Sequence, residues 1–415
     1  MSTLSMSRIS QVWPALIVLA VVTLLPVGGS SELPLCIGGV AGLVFVWRTR
    51  ASLMSNAGVK LAAILFVCYW LPALISTAGS VAPDKTWSTV AVLLRFLPFA
   101  LFACIGLRSA DGWPRIVAAC AAIIVLWLLD AWVQIFTGYS LAGAMSEERL
   151  SGIFGAGNLK LGPVLAVLSP FVFVAARERF GWRGLALAFA CQLVPILLAG
   201  SRAAWLMFGL VTLVFAWREA KSIRRFFLFV ASATVIAIVA IAIAWHASTA
   251  FDARVQRSLL ALDGSQHAMD EASAGRLRIW GTAIRMFEAN PINGVGVRGF
   301  RYAYPKFAED GDTFVDTTTE EGANYAHQIV LEVASETGAI GLIFWLVGAA
   351  AALRAWLRAG TVARARAFAP ALALAAMCFP INTHLAFYSR WWGLLFWWLL
   401  SLYCAALNAE SADDA

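Results

Sequence analysis

Charge is scarce in this sequence. Only 13% of its 415 residues are Asp, Glu, Lys or Arg, and 61% are hydrophobic. A soluble domain carries roughly 25% charged residues. The shortage excludes an ordinary soluble fold, because too little charge is available to cover its surface. Lipid must be the solvent for most of the chain. Histidine is rarer still, at four residues, so few side chains can serve as a general base near neutral pH. Cys36, Cys68, Cys104, Cys120, Cys191, Cys378 and Cys404 all fall inside apolar runs. They read as small buried hydrophobes, not as a disulfide framework or a metal site. Internal repeats, nucleophile elbows, P-loops and zinc-ligand spacings are all missing.

What the chain has in abundance is long apolar runs and Trp, of which there are 18. Trp gathers at membrane–water interfaces. Runs long enough to cross a ~30 Å hydrocarbon core as helices fall at 11–28, 33–47, 58–78, 86–107, 113–137, 159–176, 183–200, 202–217, 225–246, 327–353, 365–385 and 391–408. The first follows Arg8 without a convincing cleavage site, so it reads as an uncleaved span. The net charge of +7 does not point to nucleic acid, because the basic residues sit in short connectors between runs.

Their distribution orients the chain. Connectors after even-numbered runs carry Arg48, Arg50 and Lys60, then Arg108 and Arg115, then Arg177, Arg179 and Arg183. Arg218, Lys221, Arg224 and Arg225 follow, and finally Arg354, Arg358, Arg364 and Arg366. Connectors after odd-numbered runs are poorer in positive charge: Glu32; Asp84 with Lys85; Glu147, Glu148 and Arg149. The expected architecture is an all-α polytopic membrane protein of about twelve transmembrane helices. Residues 1–246 hold spans one to nine, 247–326 a large and partly helical periplasmic loop, and 327–415 the last three spans with a short tail. Both termini are expected in the cytoplasm.

The loop is the one long hydrophilic stretch, and long loops tend to carry function. Leu277, Trp280, Ile284 and Phe287 recur at helical spacing after a candidate N-cap at Ser273, and Asn290-Pro291 ends the pattern. Gly294, Gly296 and Gly299 mark a tight turn. Three positions suggest chemistry. Arg202, in Gly200-Ser201-Arg202, lies between two apolar runs, where an arginine needs a partner, an anion or a headgroup. Arg276 opens the loop helix, whose N-terminus favours an anion. His327, where the chain re-enters the membrane, suits a general base or a structural interface role. Arg278 and Arg285 read as ordinary charges on an amphipathic helix. His246, His267 and His384 have no comparable neighbourhood. Asp310-Gly311-Asp312 has the spacing of a metal-binding pair but lies in an acidic run and reads as a solvated loop. Arg95 and Asp130 fall inside predicted spans; either they pair with each other or Arg95 contacts a lipid-linked phosphate.

Three stretches resemble the O-antigen ligase family, within the superfamily that also holds O-antigen polymerases and bacterial protein O-oligosaccharyltransferases. They are Ser201-Arg202-Ala203-Ala204-Trp205; Gly275-Arg276 through Trp280 to Asn290-Pro291 and Gly294-Val295-Gly296; and His327-Gln328, Leu331-Glu332, Glu336-Thr337-Gly338 and Ile340-Gly341-Leu342. A fainter match is Arg149-Leu150-Ser151-Gly152 with Asn158. The family commonly has Asn where this chain has Gln328. The resemblance implies transfer of O-antigen from undecaprenyl diphosphate to a hydroxyl of lipid A–core oligosaccharide, at the periplasmic face of the bacterial inner membrane. It implies His327 as base, with Arg202 and Arg276 on the diphosphate and no metal or cofactor. Lys85, Arg95, Arg149, Asn158, Arg298, Arg301 and Gln328 complete the expected substrate-binding set. Other readings are an O-antigen polymerase, a protein O-oligosaccharyltransferase, or a lipid-linked sugar transporter or flippase. The loop holds eight Arg or Lys against eleven Asp or Glu, so an anionic substrate must be held by a few placed arginines rather than by bulk charge.

Overall fold

The computed structural model describes residues 2–50, 55–146, 149–263, 265–380 and 386–409. Glu147, Glu148 and His384 lie outside them. Each expected apolar run contains helix, but several helices stop short of the run's ends: the first ends at Thr23, the third at Ile75, and the run at 86–107 is broken at Leu94-Arg95. The helices before the loop are α1 (Ser2–Thr23), α2 (Glu32–Thr49), α3 (Ala57–Ile75), α4 (Pro83–Leu93), α5 (Phe96–Gly106), α6 (Trp113–Thr137), α7 (Leu161–Leu198), α8 (Arg202–Ala220) and α9 (Ile223–Ala247). The loop contributes α10 (Thr249–Leu259), α11 (Gln266–Ser273), α12 (Arg276–Ala289) and α13 (Phe300–Phe307), and the chain closes with α14 (Ile329–Arg358), α15 (Thr361–Met377) and α16 (Arg390–Leu407). Among the described residues, eight stretches are long and apolar enough to cross a membrane, with α4 and α5 counted as one. The chain is an all-α polytopic membrane protein. The two runs at 159–176 and 183–200 form the arms of α7, which turns at Gly181 (φ 63°, ψ −147°).

The apolar runs pack according to side-chain size. Helix α16 is buried continuously from Trp392 to Leu407, as a helix apolar on all sides must be. It is tied in place where Trp398 donates to the Val18 carbonyl (2.8 Å). Helix α2 lies on α5 through Gly38 and Gly42; a Cβ on Gly42 would fall 2.1 Å from the Pro98 carbonyl oxygen. Small residues at such crossings let helix backbones approach. The two charges expected inside spans do not meet. The break between α4 and α5 releases Arg95, whose guanidinium pairs with Glu32 (3.0 Å), while Asp130 accepts from the Leu141 amide (2.7 Å). Of the two alternatives for these residues, the Arg95–Asp130 pair is not formed.

The loop has its own small core of Ile279, Ala283, Met286, Val295, Phe300, Ala303, Tyr304, Ala323 and Ala326. Ser273 does not cap α12. It ends α11, and the cap is Gly275, in left-handed conformation (φ 73°) directly after Ala274 (φ 58°). Two successive left-handed residues fold α12 back sharply, which a serine cap in extended conformation could not do. The buried face is therefore Ile279, Thr282, Ala283 and Met286, and the expected Ile284 is 46% exposed. Asp312 serves this lobe: it accepts from the Tyr304 hydroxyl (2.8 Å) and the Phe314 amide (2.9 Å).

The Gly-rich turn fastens the lobe to the spans. Helix α14 breaks at Gly338 (φ 65°, ψ −162°). The break leaves backbone groups that a membrane interior cannot hydrate. The turn after α12 supplies all four partners. The Val295 and Gly296 amides donate to the Ser335 and Glu336 carbonyls (2.9 and 3.0 Å), and the Ala339 and Ile340 amides donate to the Pro291 and Ile292 carbonyls (2.8 and 3.2 Å). Gly294 (φ 68°) permits the contact, since a Cβ there would stand 2.4 Å from the Glu336 carbonyl carbon.

Candidate functional site

Three chain reversals converge at the end of the bundle that carries the loop. The first is the turn from α7 into α8. Gly200 is left-handed (φ 68°), and the Ser201 hydroxyl caps α8 by accepting from the Ala204 amide (3.4 Å). This sets Arg202 at the first position of α8. The second is the Ala274-Gly275 reversal, which sets Arg276 at the first position of α12. The third is the entry to α14. Trp280 donates to the Ala326 carbonyl (3.0 Å) and the Gln328 side chain accepts from the Leu331 amide (2.5 Å). Between these fixed points His327 is left-handed (φ 55°), a conformation that costs a non-glycine residue about 1–3 kcal/mol.

Between the three reversals lies a cavity of about 160 Å³, lined by Arg149, Arg202, Arg254, Arg257, Arg276, Tyr325 and His327, with Leu159 and Pro163 on its apolar side. Among the described residues that line it, none is acidic. Arg202 is braced by protein oxygens, donating to the Ala272 carbonyl and, at 3.5 Å, to the Ser258 hydroxyl. The Arg254 guanidinium lies against the Gly200 backbone, where a Cβ would meet it at 2.5 Å. The Tyr325 and His327 rings are 4.2 Å apart and inclined at 51°.

Burial, then the charge of Arg202, push the Arg276 guanidinium down to about 10, so it stays cationic at neutral pH. Burial, then the charge of Arg276, push His327 down to about 4. Its imidazole is therefore neutral at pH 7 and able to accept a proton. Tyr325 is raised to about 12, by burial first and then by Glu332, with Arg298 and Arg276 opposing, so it is a hydroxyl donor. The arrangement is chemically suited to hold an anion, with a neutral imidazole in its wall that can accept a proton. Guanidinium forks match phosphate oxygens in bidentate fashion, and the N-terminus of α12 adds its dipole.

Four expected residues, Arg149, Arg202, Arg276 and His327, thus meet. The others lie elsewhere, each for a structural reason. Gln328 caps α14 and donates to the Pro380 carbonyl (2.7 Å). Asn158 shapes the start of α7, accepting from the Lys160 amide (3.1 Å) and donating to the Phe154 carbonyl (3.1 Å). Arg301 pairs with Glu321, and Arg95 with Glu32. Lys85 is exposed on the first turn of α4. Arg298 faces the buried carboxylates Glu332 and Glu336 of α14. Arg278 and Arg285, read as ordinary charges, pair with Asp270 (2.7 Å) and Glu309 (3.0 Å). The sequence reading assigned no role to Arg254 and Arg257. Their three-residue spacing puts them on one face of α10, but nothing in the sequence shows that this face turns back over α8.

Residues 187–346 match the family model of the O-antigen ligases. No curated protein matches the chain. The matched segment runs from the second arm of α7 through the loop to the first half of α14. It contains all three converging reversals and the broken-helix fastener. Residues 187–346 are thus the part of the chain that matches this family, and the three stretches that resemble it in motif all fall within them.

Proposed function

We propose that this protein is an O-antigen ligase. It moves O-antigen polysaccharide from undecaprenyl diphosphate to a hydroxyl of lipid A–core oligosaccharide, at the periplasmic face of the bacterial inner membrane, with both termini cytoplasmic. The observation that carries the reading is the cluster of five arginines around one small cavity, with neutral His327 in its wall.

The acceptor oxygen attacks the anomeric carbon while the bond from that carbon to the diphosphate oxygen breaks. The acceptor proton goes to His327, and the electron pair of the broken bond leaves on undecaprenyl diphosphate. Arg202 and Arg276 meet the charge that grows on the leaving group. Preorganised donors of this kind are worth about 10²–10³ in rate each. One displacement inverts the anomeric centre. The arginines supply the positive charge that a metal would supply in other transferases.

The test is transfer by the purified protein with both lipid-linked substrates. The expected result is an inverted product, formed equally in EDTA. Loss of activity in EDTA overturns the arginine-only mechanism. Transfer only onto a second lipid-linked O-antigen, with none onto lipid A–core, makes the protein a polymerase instead.

A further inference from the structure

The cationic cavity stands at the head of an apolar crevice. Ile196, Leu197 and Trp205 flank the Gly200–Arg202 turn, and together they line a cavity of about 250 Å³ between α7, α8 and α9. Trp205 closes its top, donating to the Ile196 carbonyl (3.2 Å) and packing on Phe251 of α10 (5.6 Å between rings), the helix that carries Arg254 and Arg257. A second cavity of about 60 Å³ continues the crevice past Thr212 and Ala216. From Arg202 to Ala216 is about 21 Å of helix, roughly two thirds of a ~30 Å hydrocarbon core.

Three features describe the occupant. The crevice is apolar and narrow; the Thr212 hydroxyl is turned back onto the Phe208 carbonyl (2.8 Å). Its outer wall is α9, only 6% buried over its most apolar stretch, so a single exposed helix stands between the crevice and lipid. The crevice also ends at a cluster of guanidinium groups. A phospholipid brings two acyl chains side by side behind one phosphate. A polyprenyl diphosphate brings a single chain behind two, which fits a narrow groove under five arginines. We propose that this crevice holds the first isoprene units of the donor's polyprenyl chain, entering from the bilayer past α9 while its diphosphate sits in the cavity above. The assignment rests on the function proposed above and adds the path of the donor's tail.

Gly209 makes the idea testable. It faces the crevice on α8, and a Cβ there meets nothing within 4 Å. A side chain at this position fills the groove without disturbing the helix. The probe is a sugar-free polyprenyl diphosphate bearing a diazirine in its proximal isoprene units, photolysed with the protein in nanodiscs. Expected are labelled peptides from α8 and α9, wild-type labelling in Gly209→Ala, and about a tenfold loss of affinity in Gly209→Phe, the scale of two displaced methylenes. A diphosphate whose tail is too short to reach Gly209 should bind wild type and Gly209→Phe alike. Equal labelling by a polyprenol without phosphate overturns the proposal. So does labelling confined to the separate apolar cavity of about 460 Å³ beside Tyr69, Trp345 and Tyr403. Correct labelling together with no transfer to any acceptor leaves the tail site standing and refutes the ligase reading instead.

Discussion

Arg276 and His327 are coupled by charge, and the coupling gives the site an order of events. Burial first, and then the charge of Arg276, disfavour an imidazolium here, which is why His327 is held down to about 4. A bound diphosphate reverses the sign of the local field and stabilises the imidazolium. In the proposed mechanism His327 is therefore a stronger base once the donor is bound. The neutral form is the active one, so activity is lost as pH falls through the folded-state value. The acid limb of kcat/KM should lie near 4, well below ordinary histidine, and that of kcat at higher pH, measured in the transfer assay. Coincident limbs near 6.5 would mean that His327 is solvated and not the base. Arg276→Ala should lose about 10²–10³ in kcat with normal membrane insertion, and Arg276→Lys should recover little, because an ammonium lacks the fork. Full activity in Arg276→Ala removes this residue from the site.

Among the elements, the broken helix α14 is the one on which the loop depends. Four of its backbone groups around the break, the Ser335 and Glu336 carbonyls and the Ala339 and Ile340 amides, are hydrogen-bonded by the segment Pro291–Gly296. Gly294→Ala forces a left-handed alanine against the α14 backbone, a cost of at least about 1–3 kcal/mol. It should lower the thermal midpoint in detergent. Gly209→Ala should raise or preserve that midpoint, since an interior helical glycine is about 1 kcal/mol worse than alanine and the space is open. Equal midpoints for Gly294→Ala and wild type would show that the fastener contributes nothing. The motif Asn290-Pro291 to Gly294-Val295-Gly296 thus has a structural job as a plug, while Arg276 at the other end of the same helix faces the cavity.

At the scale of the whole molecule, the site is a seam. Arg202 belongs to a span, Arg254, Arg257 and Arg276 to the loop, Arg149 to the connector between α6 and α7, and His327 to the re-entry point. Among the described residues the loop's own core is nine buried residues, too few to offset the ordering of an 80-residue segment. Residues 247–326 expressed alone should show no cooperative thermal transition by circular dichroism. A sigmoidal melt would make the loop an independent domain, and the fastener a docking contact instead.

Hydropathy alone determined the class of this protein, because a chain with so little charge has to take lipid as its solvent. Helix ends at Asn290-Pro291 and the anchoring of Arg202 at the head of α8 were legible too, because local backbone sterics decide them. The partners of Arg95 and Asp130, the two left-handed residues before Arg276, and the turning of Arg254 and Arg257 over the Gly200 turn were decided only in three dimensions. Arg95 reaches Glu32 and Arg254 reaches Gly200 across long stretches of chain, and a pattern of neighbours along a sequence holds no record of which distant carboxylate or glycine a buried charge will meet.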